Sequence, residues 1–253
     1  MNLTPYQLEL KPAVDRIQAL LNTAAIRHDY PHPDQAANVL DTPAPPAEGV
    51  WRAADGRALI VCNTDMPDVT PAMIDWWFGW HLPSSARYRL WHPKAHISAR
   101  VKEDRSHLKD DRARYLNNES YVDEYIGKQL KKLAIKFVPP AQFGLHNLDQ
   151  RRATAICAVT ADRLLHSDGG HLVHLILPTP GGCQMRSGFW LGEINSGIPL
   201  LKGVVNRIGN TRTLRNLIVS DRMCLDLLQH CSEEMAHLAS FLPALYACQN
   251  PHV

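Results

Sequence analysis

His230 and Glu234 stand four residues apart in Asp226-Leu-Leu-Gln-His230-Cys-Ser-Glu-Glu234-Met-Ala-His237. On a helix this spacing stacks an imidazole and a carboxylate on one face, one turn apart, where both can hold one metal ion. The HExxH pattern of a metalloprotease is not present, and a solvated His/Glu face has the same spacing. His92 and His96 flank Pro93, which breaks a helix through both, so they do not form a second pair of this kind. His174 lies in Leu172-Val-His-Leu-Ile-Leu177, where strand alternation puts it on the face of Leu172 and Ile176. That placement suits a histidine looking into an apolar cavity, or a core histidine bonded to backbone.

The element that must carry His230 and Glu234 is a helix over residues 220–242, with Ser220 or Asp221 as N-cap. At 100° per residue Cys224, Leu227, Leu228, Cys231, Met235 and Leu238 form an apolar stripe, with Met223, His230, Glu234 and Phe241 along its flank. A carboxylate beside a buried face needs a partner, so the pattern implies either a border residue reaching water or a helix closing over a cation.

Upstream, residues 11–28 read as an amphipathic helix with Pro12 in its first turn. The stretch Asp41-Thr-Pro-Ala-Pro-Pro-Ala-Glu-Gly49 is a linker or arm. Asp55-Gly56 between apolar runs predicts a hairpin over residues 50–62, and Thr70-Pro71 opens a short helix through Trp76, Trp77 and Trp80. Strands are expected at 134–138, 153–159, 172–177 and 183–191, the last two joined by Pro178-Thr-Pro-Gly-Gly182. A helical N-terminal piece, mostly antiparallel strands and a long final helix make an α+β fold with the sheet packed on that helix. The expected division is an N-terminal segment, 1–49, and a domain over 50–253.

The 253 residues suit one sizeable domain. A net charge of +2, from 27 Lys and Arg against 25 Asp and Glu, gives no case for nucleic acid. No apolar run is long enough to span a bilayer, and the N-terminus lacks the pattern of a signal peptide. Six cysteines without CxxC spacing predict reduced thiols and a cytoplasmic protein. No glycine-rich loop supports nucleotide binding. Trp76, Trp77, Phe78, Trp80, Tyr88 and Trp91 crowd into 16 positions, which suits core packing or a pocket for a flat aromatic ligand.

Taken in order, Trp76-Trp-Phe-Gly-Trp-His81, Tyr88 eight residues before His96 in Trp-His-Pro-Lys-Ala-His, and Val122-Asp-Glu124-Tyr-Ile-Gly127 form a pattern. It continues with Phe137-Val-Pro-Pro-Ala-Gln-Phe-Gly144, His171-Leu-Val-His174, Arg186-Ser-Gly-Phe-Trp-Leu-Gly192 and His230-x-x-x-Glu234. This set resembles the 2,4-diacetylphloroglucinol hydrolase and phloretin hydrolase family over roughly residues 50–240. The resemblance implies a helix-grip (Bet v 1-like, START-like) domain and a zinc-dependent hydrolase cutting a carbon–carbon bond between a phenolic ring and an acyl group. It implies His96, Glu124, His230 and Glu234 as ligands of Zn2+, with Glu103, Glu119 and Asp123 close to the Glu124 position. Two imidazoles and two carboxylates balance the charge of zinc in a dry cavity, and iron or manganese rank below it.

For that chemistry His174 is the candidate proton donor or carbonyl partner, Tyr88 the candidate phenol-orienting hydroxyl, and Trp77 and Phe189 the candidate walls of the substrate pocket. The family pattern has a tyrosine where this chain has Phe189, a lost hydroxyl that leaves the exact substrate open. The expected partner is a small acylated phenol, with no nucleic acid and no membrane, and the family implies a homodimer. A non-catalytic ligand-binding protein of the same shape and a metal-dependent aryl esterase are the alternatives.

Overall fold

Along residues 119–126, Ser120, Val122, Glu124 and Ile126 are buried while Tyr125 is exposed. This period of two belongs to a strand with one face on a core. The computed structural model describes residues 2–164, 167–196 and 202–251. Among these, nine strands form one sheet: β1 (Ile26–Arg27), β2 (Gly49–Arg52), β3 (Ala58–Pro67), β4 (His96–Val101), β5 (Glu119–Ile126), β6 (Gln129–Val138), β7 (Thr154–Asp162), β8 (Ser167–Thr179) and β9 (Gly182–Ser196). Their order is β1-β2-β3-β9-β8-β7-β6-β5-β4. Only the short β1–β2 pair is parallel.

The helices are α1 (Asp15–Thr23), α2 (Ala36–Leu40), α3 (Pro71–His81), α4 (Ser85–Trp91), α5 (Asp111–Tyr115), α6 (Lys202–Gly209), α7 (Arg212–Ile218) and α8 (Asp221–Gln249). The sheet wraps the long α8, which packs against β2, β3 and β5. This is the expected α+β helix-grip arrangement. Cys224, Leu228, Cys231, Met235 and Leu238 are fully buried along the predicted stripe, and each large aliphatic so buried contributes about 1.5–3 kcal/mol.

Ser220 caps α8, its Oγ accepting from the Met223 amide at 3.2 Å. The sequence places the end of this helix at Leu242, before a proline, yet α8 continues through Pro243 to Gln249. Phe241, Leu242 and Leu245 are buried on either side of it, and that packing outweighs the roughly 3 kcal/mol cost of an internal proline. The first helix is also shorter than expected. It starts at Asp15 after an extended Val14 and stops at Thr23, where Ala24 turns left-handed (φ 48°) and the chain enters β1.

Both predicted hairpins form. β2 and β3 meet around Asp55-Gly56, where Gly56 has φ 91° and a Cβ would lie 2.9 Å from the Asn216 side-chain oxygen. β8 and β9 meet at Thr179↔Gly182. The strands β1, β4 and β5 are additional to the four predicted individually.

The segment 1–49 lies against the rest of the molecule. Ile17 of α1 is buried in the inner core with Leu238 and Leu242, and Leu40 is buried on the outer face of the sheet among Leu59, Val61 and Trp190. The Pro-rich stretch is tied down by Arg186, whose Nη1 donates to the carbonyls of Leu40 (2.9 Å) and Thr42 (2.6 Å). Asn63 Nδ2 also donates to Pro46 at 2.8 Å.

Candidate metal centre and its cavity

Three elements bring the site together. α4 ends at Trp91, the residues before and after Pro93 turn, and His96 opens β4. There His96 stands directly opposite Glu124 of β5, and opposed residues of an antiparallel pair project from the same face. α8 crosses that face and delivers His230 and Glu234 from one side of the helix. All four are buried, at 3% to 9% exposure.

His96, His230 and Glu234 each offer a ligand atom within 4.8 Å of the others. Glu234 Oε2 lies 3.5 Å from His96 Nε2 and 3.5 Å from His230 Nε2. Glu124 Oε2 approaches His96 Nε2 at 3.6 Å but accepts a hydrogen bond from the Tyr88 hydroxyl, so it stands beside the three-residue cluster. The neighbouring acids point elsewhere: Glu103 pairs with Arg105, Glu119 with Lys102 and Asp123 with Arg163.

Each imidazole has a backing. His96 donates from Nδ1 to the Tyr88 carbonyl at 3.0 Å, and its ring stacks on Tyr88 with centroids 3.9 Å apart. A proton on Nδ1 leaves Nε2 as a lone pair, and Nε2 is buried without a hydrogen-bond partner. His230 stacks on His92 at 4.7 Å, and His92 Nε2 meets Glu233 at 3.3 Å. His92 and Glu233 form a support that the sequence reading did not find, although each neighbours a motif residue.

Electrostatics fit a cation site. Burial alone would raise the Glu234 carboxyl, but His230 first, and then His96, beside it hold it well below the usual carboxylate range. Burial would lower His230, and Glu234 reverses this and raises it. Burial lowers His96 despite both carboxylates. A buried ring nitrogen without a partner, 3.5 and 3.6 Å from two buried carboxylates, is costly unless a cation lies among them. The donor set suits zinc or another borderline divalent metal.

The cluster closes one side of a cavity of about 220 Å³, lined chiefly by apolar side chains that include Phe78, Trp91, Val122, Leu172, Phe189 and Met223. Tyr88 and His174 line it too. Burial, then Glu124, raises Tyr88 well above an ordinary phenol, so its hydroxyl remains a donor. His174 Nδ1 lies 2.7 Å from Ser187 Oγ, its ring is edge-on to Phe189 at 5.7 Å, and burial pushes it down to about 4. His81, also on the cavity wall, is pushed down to about 3 by burial.

Trp77 does not reach the cavity. It is fully buried behind the wall, stacked on His81 at 4.7 Å and edge-on to Phe241 at 5.6 Å. One residue along a helix turns a side chain by about 100°, which sends Phe78 to the cavity and Trp77 to the core. His171 lies on the opposite face of β8, edge-on to Phe143 at 5.8 Å.

A buried histidine–carboxylate cluster at the wall of an apolar cavity, gripped between a curved sheet and one long helix, defines a small-molecule site with the means to hold a metal. The chain belongs to the DAPG hydrolase family, whose model, described as the DAPG hydrolase PhiG domain, matches residues 33–247. It is 30% identical over 210 residues to the phloretin hydrolase of Eubacterium ramulus, covering 79% of this chain and 71% of that protein. It is 32% identical over 202 residues to a 2,4-diacetylphloroglucinol hydrolase of Pseudomonas sp, covering 71% of this chain and 64% of that protein. Among solved structures it is similar to Ms6760 from Mycobacterium smegmatis (TM-score 0.41, 10% identity, 79% of this chain and 99% of that one). It is also similar to a truncated norcoclaurine synthase from Thalictrum flavum (TM-score 0.33, 10% identity, 65% and 94%). Among the described residues no helix is long and apolar enough to cross a membrane.

Proposed function

We propose that this chain is a zinc-dependent hydrolase that cuts the carbon–carbon bond between a phenolic ring and an acyl group, releasing a carboxylic acid. The observation that carries this reading is the convergence of His96, His230 and Glu234 on one point beside an apolar cavity. The names of the relatives, hydrolases of phloretin and 2,4-diacetylphloroglucinol, support the substrate class.

A ring carbon leaves an acyl group only as a carbanion equivalent. A neighbouring hydroxyl solves this, because its keto tautomer turns the cleavage into hydrolysis of a 1,3-diketone. The tautomer forms as the hydroxyl proton moves to the ring carbon. Water then supplies hydroxide to the acyl carbon, the ring–acyl bond breaks, and the released phenolate takes the remaining proton of water on its oxygen. His96, His230 and Glu234 would hold the zinc, with Glu124 beside them, and the ion would polarise a carbonyl and make bound water acidic. The Tyr88 hydroxyl, aimed at Glu124, keeps one proton at the cavity wall and orients a phenolic oxygen.

His174 is neutral near pH 7, since burial pushes it down to about 4, and it acts as a hydrogen-bond partner of the acyl carbonyl. With Nδ1 engaged by Ser187, Nε2 is the ring nitrogen left for substrate. The apolar wall excludes bulk water and seats the flat ring.

The test is elemental analysis with a panel of acylated phenols and a matching aryl ester. The expected result is about one zinc per chain and release of a carboxylic acid from C-acyl phenols. His230→Ala and Glu234→Ala lose metal and turnover together. Full metal in both variants, or turnover of the ester alone, refutes the reading.

A further inference from the structure

We infer that Lys131 forms an anion subsite at the outer part of the cavity that holds the ionised phenolic oxygen of the substrate, a step that rests on the acylphenol reading above. Register carries the inference. His96 lies opposite Glu124, and Glu124 lies opposite Lys131 on β6. Opposed residues share a face, so these three form one row across the inner surface. At about 4.8 Å per strand, the Lys131 position is about 10 Å from that of His96.

Lys131 is the only lysine or arginine among the described residues lining the cavity. Its ammonium has no ion pair or hydrogen bond among those residues. The carboxylates nearest in the register are occupied. Glu124 accepts from Tyr88, and Asp162, opposite Leu133 on β7, accepts from the Leu164 amide at 2.8 Å. From α8 the cavity lining takes Met223, Leu227, His230 and Glu234, the last two being the cluster residues already engaged with one another.

Lys131 is half-buried and lines an apolar cavity, and a lysine there, its stem along apolar surface, is best satisfied by an anion at its head. A phenol bearing an acyl group is unusually acidic, because the carbonyl delocalises the charge of the phenolate. With the acyl group at the metal cluster, a hydroxyl across the ring falls within reach of the flexible lysine stem. Phe189 offers no hydroxyl that would substitute for it. The subsite therefore selects rings with a free, acidic hydroxyl distal to the acyl group.

The test is binding of 2,4,6-trihydroxyacetophenone and its 4-O-methyl ether, read by quenching of tryptophan fluorescence, since Trp91 lines the cavity. Both are measured at a pH where the free 4-hydroxyl is ionised, with native and metal-stripped protein. A charge-assisted hydrogen bond implies that Lys131→Met raises Kd for the trihydroxy probe about tenfold. The methyl ether binds unchanged, and Lys131→Arg restores affinity for the phenol. Lys131→Gln, with near-ultraviolet circular dichroism to check the fold, should repeat the methionine result. An unchanged Kd, or equal loss for both probes, overturns the subsite. Zinc content and wild-type turnover are measured on the same samples: their absence refutes the hydrolase reading, whereas selective loss of phenolate binding still establishes the subsite.

Discussion

Acid should destabilise this protein through His174 by a calculable amount. In the unfolded chain the imidazole takes a proton below about pH 6.5, while in the folded protein burial delays this until about 4. Between those values the unfolded state binds more protons, so stability is complete above the unfolded value and falls as pH drops toward the folded one. The full difference of about 2.5 pH units corresponds to roughly 3 kcal/mol at about 1.36 kcal/mol per unit. Near pH 5 the accumulated loss is about 2 kcal/mol. The side chain is buried (2% exposed), so solvent screening does not reduce this much. His174→Gln removes the titrating group and can still bond Ser187. Urea unfolding of both proteins near pH 8 and pH 5 isolates the contribution as a difference of differences, because His81 and the metal-site groups titrate in both. The wild type should lose about 2 kcal/mol more than the variant between the two conditions. Equal losses would refute the claim that His174 is held neutral by burial.

Two further outcomes follow from the cavity. Tyr88→Phe should keep its metal by elemental analysis and lower kcat by about a hundredfold, the lower range for a lost proton-handling group; unchanged kcat would remove the hydroxyl from the reaction. Phe189→Tyr places a hydroxyl beside His174 and should change the ratio of kcat/KM between two acylated phenols differing in one hydroxyl by about tenfold or more. A constant ratio would mean that this wall does not read the ring.

The sequence shows local features well and long-range meetings poorly. Ser220 as cap, the four-residue spacing of His230 and Glu234, and the Asp55-Gly56 hairpin are set by neighbours in the chain, and all appear in the structure. The encounter of His96 with Glu124 depends on the β4–β5 register, which spacing alone does not give. Alternation within β5 then separates two adjacent acids: Glu124 turns inward and Asp123 turns out to Arg163. Trp77 and Phe78 illustrate the same difficulty on a helix, where a shift of one residue decides between core and cavity. Pro243 is a strong local stop signal, and only tertiary packing overrides it.

Arg186 and Ser187 are adjacent on β9, and their side chains leave the sheet on opposite sides. Arg186 grips the backbone of the proline-rich arm outside, and Ser187 holds His174 inside. The strand thus works as a two-sided clasp, in which the same few ångströms of backbone set the seat of the arm and the aim of an imidazole. Cutting or loosening the arm, far from any substrate, would slacken the hold on that ring.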